Sequence, residues 1–175
     1  SDQVPAGLSW DGWLGVASER PFIADNYYHP GNWRKRLDFG TGTFGDMGCH
    51  ILDPVFTSLA LTAPVSIRSE GGAANAHNWG LDSQVRYEFP GTKFTADRLT
   101  LHWYDGSLRP PASLRASIGN RNFHDQGSIY IGADGVLYSP YIADPLLFPE
   151  NRFQGYKIPK QSGQDHYRQF VEACR

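Results

Sequence analysis

At Pro64 the spacing of apolar residues changes from a period near 3.6 to a period of two, and helical spacing returns clearly only at the end of the chain. VSIRSE at 65–70, SQVRYEFP at 83–90 and KFTADRLTLHWYDG at 93–106 read as successive strands. SIYIGADGVLYSP reads as a hairpin, its two arms joined by Gly132-Ala133-Asp134-Gly135. Turn residues, rather than helices of a dozen residues, link these runs. That excludes a doubly wound parallel sheet and predicts an α+β fold, with an antiparallel or mixed sheet and helices packed on one face.

Before Pro64 the pattern differs. Residues 1–39 scatter Trp10, Trp13, Tyr27, Tyr28 and Trp33 among Pro and Gly without a period, which predicts an irregular arm packed by aromatics. From about Phe44 to Leu61 the spacing predicts a helix. Asp46, His50, Asp53 and Thr57 fall on one stripe of it, and Met47, Ile51, Leu52, Val55, Phe56 and Leu59 on the other side. Pro54 cannot donate to the carbonyl of His50, so a bend or a reset is expected there. Residues 109–127 read as turn-rich with one short helix, and 141–164 as a long ordered loop. In DHYRQFVEACR, Tyr167, Phe170, Val171 and Cys174 have helical spacing with no cap after them; together with the missing initiator Met, this leads us to expect a piece of a longer protein.

With 175 residues, 40% hydrophobic and 14% aromatic, the chain fits one domain better than two. Sixteen Lys and Arg against eighteen Asp and Glu give a net charge of -2 with no like-charge run, which argues against a nucleic-acid partner. No apolar run approaches the roughly 18 residues of a membrane span. Cys49 and Cys174 are too few and too differently placed for a disulfide framework, and they leave localisation open.

GTGTFGDMGCHILDP, residues 40–54, carries the chemistry and two competing readings. Gly40, Gly42 and Gly45 match a G-x-G-x-x-G dinucleotide turn, but that fingerprint needs a buried strand before it, and WRKRLDF at 33–39 is dominated by charge. Asp46, placed in the first turn, would also compete with a pyrophosphate for the helix N-terminus. A tight turn that opens a helix is the plainer reading, with no cofactor-binding residue in this chain. Asp46 and His50, four apart, read either as a surface or capping contact or as an acid/base pair in which the carboxylate orients an imidazole that titrates near neutral pH. Asp53 extends the stripe to D-x-x-x-H-x-x-D, which lacks a fourth ligand and assigns no metal. His102, Trp103, Tyr104 and Asp105 end a strand at a Gly turn. Aromatic faces beside polar groups suit sugar rings there, while buried Trp and Tyr are by default core. Arg34, Lys35 and Arg36 read equally as a site for an anionic substrate group or as a solvated face.

DGWLG at 11–15, NWRKRLDFGTGTFGDMGCHILDP at 32–54, LHWYDGSLRPP at 101–111, GADGVLYSPY at 132–141 and DHYRQFVEAC at 165–174 together resemble the C-terminal domain of the Gfo/Idh/MocA oxidoreductases, the glucose-fructose oxidoreductase and inositol dehydrogenase family. The resemblance spans nearly the whole chain and is closest to a bacterial branch of sugar dehydrogenases. It implies an open, mostly antiparallel sheet, dihydrodipicolinate reductase-like, in one substrate-binding and oligomerisation domain over residues 1–175. A separate N-terminal Rossmann domain would bind NAD or NADP. The family's D-x-x-x-H motif falls on Asp46 and His50, which implies His50 as acceptor of the hydroxyl proton. Trp33, Arg34, Asp53, Trp103 and Tyr104 are then expected on the substrate side. The family's E-K-P motif, with its catalytic Lys, belongs to the Rossmann half and does not occur in this sequence.

The leading expectation is the substrate domain of an NAD(P)-dependent oxidoreductase for a sugar or polyol, with no dinucleotide bound by this chain and no activity from it alone. Self-association is expected through a sheet face rich in Val, Tyr, Phe and Leu. The alternative is a carbohydrate-binding or assembly module that meets no nucleotide; a third, weaker reading has GTGTFG bind a nucleotide directly.

Overall fold

In the computed structural model, which describes residues 1–28, 31–159, 163 and 165–175, the first three period-two runs become an antiparallel sheet. Its strands are β1 (Ser66–Ser69), β2 (Gln84–Pro90) and β3 (Arg98–Tyr104), in that order. The register sets Val85 opposite Trp103, Tyr87 opposite Leu101 and Phe89 opposite Leu99, so alternation gathers these six side chains on one face. Arg68, Arg86, Glu88, Thr100 and His102 occupy the other face. The third run is shorter than its sequence pattern, because 91–97 turn: Thr95 N–H donates to the Thr92 carbonyl at 3.2 Å and Gly91 N–H to the Asp97 carbonyl at 2.9 Å.

The apolar face is covered by α2 (Gly42–Leu59). Phe44 meets Trp103 edge-on at 4.9 Å between ring centres, and Phe56 meets Phe89 likewise at 5.4 Å. Such pairs contribute about 0.5 to 1.5 kcal/mol each beyond their burial. The face expected to stay bare for self-association is thus largely occupied by the chain's own helix, and β1 is where apolar surface remains, with Val65 69% and Ile67 60% exposed. Pro54 lies inside one continuous helix rather than dividing it. The helix ends at Ala60, whose φ of 51° permits Leu61 N–H to reach the Phe56 carbonyl at 2.9 Å. Thr92 Oγ1 donates to the Leu59 carbonyl at 2.7 Å, tying that end to the β2–β3 loop.

The predicted hairpin forms β4 (Gly127–Ile131) and β5 (Val136–Pro140), and it gains β6 (Leu146–Phe148) to make a second antiparallel sheet. β6 lies in the stretch expected to be only loop, of which residues 160–162 and 164 fall outside the described residues. The expected strands are therefore antiparallel but divided between two sheets. A 3-10 helix at Ala112–Ile118 places Ile118 in a core with Val136, Tyr138 and Phe148. On the other face Tyr130 meets Ser58 of α2, and burial pushes its phenol pKa up.

The arm is held by its aromatics, apart from His29 and Pro30, which lie outside the described residues. It includes a short helix, α1 (Trp10–Leu14), capped by Ser9 Oγ accepting from Gly12 N–H at 3.2 Å. Trp10 stacks on Trp13 at 4.9 Å and donates its indole N–H to the Arg20 carbonyl at 2.7 Å. α3 (His166–Ala173) begins at Asp165, whose carboxylate caps Tyr167 and Arg168 N–H. Among the described residues no helix is long and apolar enough to cross a membrane.

Candidate active site

The glycines of GTGTFG answer to the chain itself. A 3-10 turn at Trp33–Lys35, not a strand, comes before them. A Cβ on Gly40 would stand 2.6 Å from the Arg34 Cα and carbonyl oxygen, so only glycine permits this close return of the backbone. Gly42 has φ of 75° and lies against Trp79, whose indole N–H donates to the Gly40 carbonyl at 2.7 Å. Starting at Gly42, the helix begins two residues earlier than the apolar pattern suggests, which moves Asp46 out of the first turn. A 3-10 turn stands where the fingerprint needs a strand, and Arg34 and Trp79 lie against the glycines, so the turn lacks the geometry of a dinucleotide cradle.

What the turn delivers is Arg34. Its Nη1 forms an ion pair with Asp46 Oδ2, both side chains about one-third exposed. Among the described residues no hydrogen bond joins Asp46 to His50, which corrects the expectation that the carboxylate orients the imidazole. A guanidinium offers a carboxylate charge-assisted hydrogen bonds, and Arg34 holds that place beside Asp46. His50 is exposed one turn further on, its ring 6.1 Å from that of Tyr141, which follows β5. Asp53 and Thr57 continue the exposed stripe. Among the described residues no group of three or more His, Cys, Asp or Glu converges as a metal site would need.

Arg34 and Asp46 are brought together, with His50 and Asp53 along the same helix, while Trp33, next to Arg34 in the chain, lines the arm with Trp13, Tyr28 and Phe39. Trp103 and Tyr104 are not. Trp103 is 7% exposed beneath α2 and donates its indole N–H to Asp105 Oδ2 at 2.9 Å, so it is a core residue with no surface left for a substrate. Tyr104 points to the opposite face of the sheet, stacked with His102 at 6.1 Å; burial, then the nearby Glu70 charge, raises its phenol pKa. Of the basic triplet, Arg36 is also engaged, with Asn78 and with the Tyr27 carbonyl at 3.2 Å, its guanidinium 3.6 Å from the Tyr27 ring centre.

Two features escaped the sequence reading. Tyr141 sits in GADGVLYSPY, and only the packing of the hairpin end against α2 brings its ring beside that of His50. Trp13, Tyr28, Trp33 and Phe39 line an open cleft of about 340 Å³, foreshadowed by the Trp10/Trp13 spacing and the density of rings in the arm.

No match was found among curated proteins. The family model described as oxidoreductase family, C-terminal alpha/beta domain, matches residues 1–94, which contain the arm, the glycine turn, α2 and the first two strands. By this match and the fold it accompanies, the chain belongs to the Gfo/Idh/MocA oxidoreductase family and represents its C-terminal α/β domain.

Proposed function

We propose that this domain is the substrate side of an NAD- or NADP-dependent oxidoreductase acting on a sugar or polyol, with His50 as acceptor of the hydroxyl proton. The observation that carries the reading is the exposed imidazole of His50, with no hydrogen bond or ion pair of its own among the described residues, on the stripe that Asp46 and Arg34 anchor to the arm. An exposed imidazole whose nitrogens no neighbour occupies can take a proton from a bound hydroxyl. Asp53 on the same exposed stripe, with Arg34 and Trp33 of the arm, would supply polar and aromatic contact for a carbohydrate. The dinucleotide, held by a Rossmann domain, supplies the hydride acceptor. This domain alone is then inactive. A second reading, a carbohydrate-binding or assembly module without a nucleotide, draws on the aromatic cleft.

The test is His50→Ala in the full-length enzyme. Loss of a general base lowers kcat by about 10² to 10⁴ while melting temperature holds, because the exposed ring contributes little to packing. Unchanged turnover per folded molecule would remove His50 from the chemistry, and a full-length protein that turns over no sugar or polyol with either dinucleotide would favour the second reading.

A further inference from the structure

We propose that the aromatic cleft of the arm is a second sugar subsite, so that the substrate is a glycoside or oligosaccharide of at least two rings; this rests on the proposed carbohydrate activity. Trp13 and Trp33 are 38% and 37% exposed although they are the largest apolar side chains available, and with Tyr28 and Phe39 they line the cleft of about 340 Å³. That volume lies at the small end of the roughly 300 to 1,000 Å³ of ligand sites, which suits one ring rather than an extended chain. Exposed indoles offer flat, weakly hydrated faces to the C–H patches of a pyranose, and Trp10, stacked on Trp13 outside the cleft, holds one of them in place. Polar side chains belong to the same arm. Arg20, ion-paired to Asp38, lies 5.3 Å from the centre of the Phe39 ring, and Asn32, next to Trp33 in the chain, lines a second open cleft with Lys35 and Arg36.

The cleft is tied to the candidate reaction centre through successive residues. Trp33 lines the cleft, Arg34 pairs with Asp46, and His50 follows one helical turn away, about 6 Å along the axis. A sugar in the cleft would hold the non-reacting part of a substrate whose reacting hydroxyl meets His50, and such remote binding raises catalytic efficiency by fixing the reacting ring.

Calorimetry on the full-length enzyme with glucose, cellobiose and maltose as probes tests this. At least one disaccharide is expected to bind about tenfold more tightly than glucose, the gain expected of one stacked ring. Trp13→Ala brings that ratio close to one, and Trp13→Phe, which keeps a ring and guards against misfolding, retains most of it. His50→Ala leaves the ratio intact while turnover falls, so the failure of the proton-acceptor role and the failure of the cleft are read on different instruments. Equal affinities for glucose and both disaccharides, or a ratio that survives Trp13→Ala, would overturn the proposal.

Discussion

Asp105 is 7% exposed, yet both its oxygens are engaged: Oδ2 accepts from the Trp103 indole at 2.9 Å and Oδ1 from Ser83 N–H at 2.7 Å. A buried carboxylate of this kind holds the end of β3 to the segment entering β2. Asp105→Ala strands two donors at once, and each unmet donor costs about 1 to 3 kcal/mol, so urea unfolding should show a loss of about 2 to 6 kcal/mol. A loss below about 1 kcal/mol would mean that water replaces the carboxylate. The Arg34–Asp46 pair is a different case, because both side chains are about one-third exposed. Solvent screens it, and a double-mutant cycle with Arg34→Gln and Asp46→Asn should give a coupling of only about 0.5 to 1 kcal/mol. Its importance lies in where it places the arm, not in stability.

At the scale of elements, α2 and the turn before it decide the site. Gly42→Ala puts a side chain at φ of 75° against Trp79, and left-handed backbone costs a non-glycine residue about 1 to 2 kcal/mol. Thermal unfolding of that variant should show a loss of this size; an unchanged midpoint would mean the helix start shifts freely. The turn at Gly106 gives a pH test. Ser107 N–H donates to Asp82 Oδ1 at 2.6 Å, and these hydrogen bonds lower the Asp82 pKa below its ordinary 3.8. The unfolded chain therefore binds the proton more readily, so this contribution is complete above pH 3.8 and disappears as pH falls through the lower folded value. Asp82→Asn should flatten the acid limb of the unfolding profile. The amphipathic pattern of α2 and the alternation in β2 and β3 were legible because burial on one face writes a period into the sequence. β6 was not, since Leu146–Phe148 is short and sits between Pro145 and Pro149, which read as loop. Nor was the true partner of Asp46: a helical wheel shows what one helix presents, whereas Arg34 comes from a segment whose path depends on a glycine. Trp103 was misplaced for the same reason, as alternation tells faces apart without saying which one α2 covers.

At the scale of the whole molecule, apolar surface remains at particular edges. α2 covers the sheet near Phe89 and Trp103, and the opposite face carries Arg68, Arg86, Glu88, Thr100 and His102, so neither face of the first sheet is a broad bare apolar surface. Among the described residues β1 pairs with β2 alone, and its flank holds Val65 and Ile67, 69% and 60% exposed. An edge strand with free backbone groups and protruding apolar side chains is a template for another strand. If copies of this domain associate, β1 is the place the physics favours, by pairing with β1 of a second copy across a two-fold axis. Light scattering should then show a mass that rises with concentration toward a dimer, and Ile67→Lys, which sets like charges close together across the axis, should hold the protein monomeric. Because Ile67 is largely exposed, the change should leave the melting temperature of the monomer nearly untouched. A dimer that persists in Ile67→Lys would place the contact elsewhere, with the exposed Tyr167 and Phe170 of α3 next to be tested.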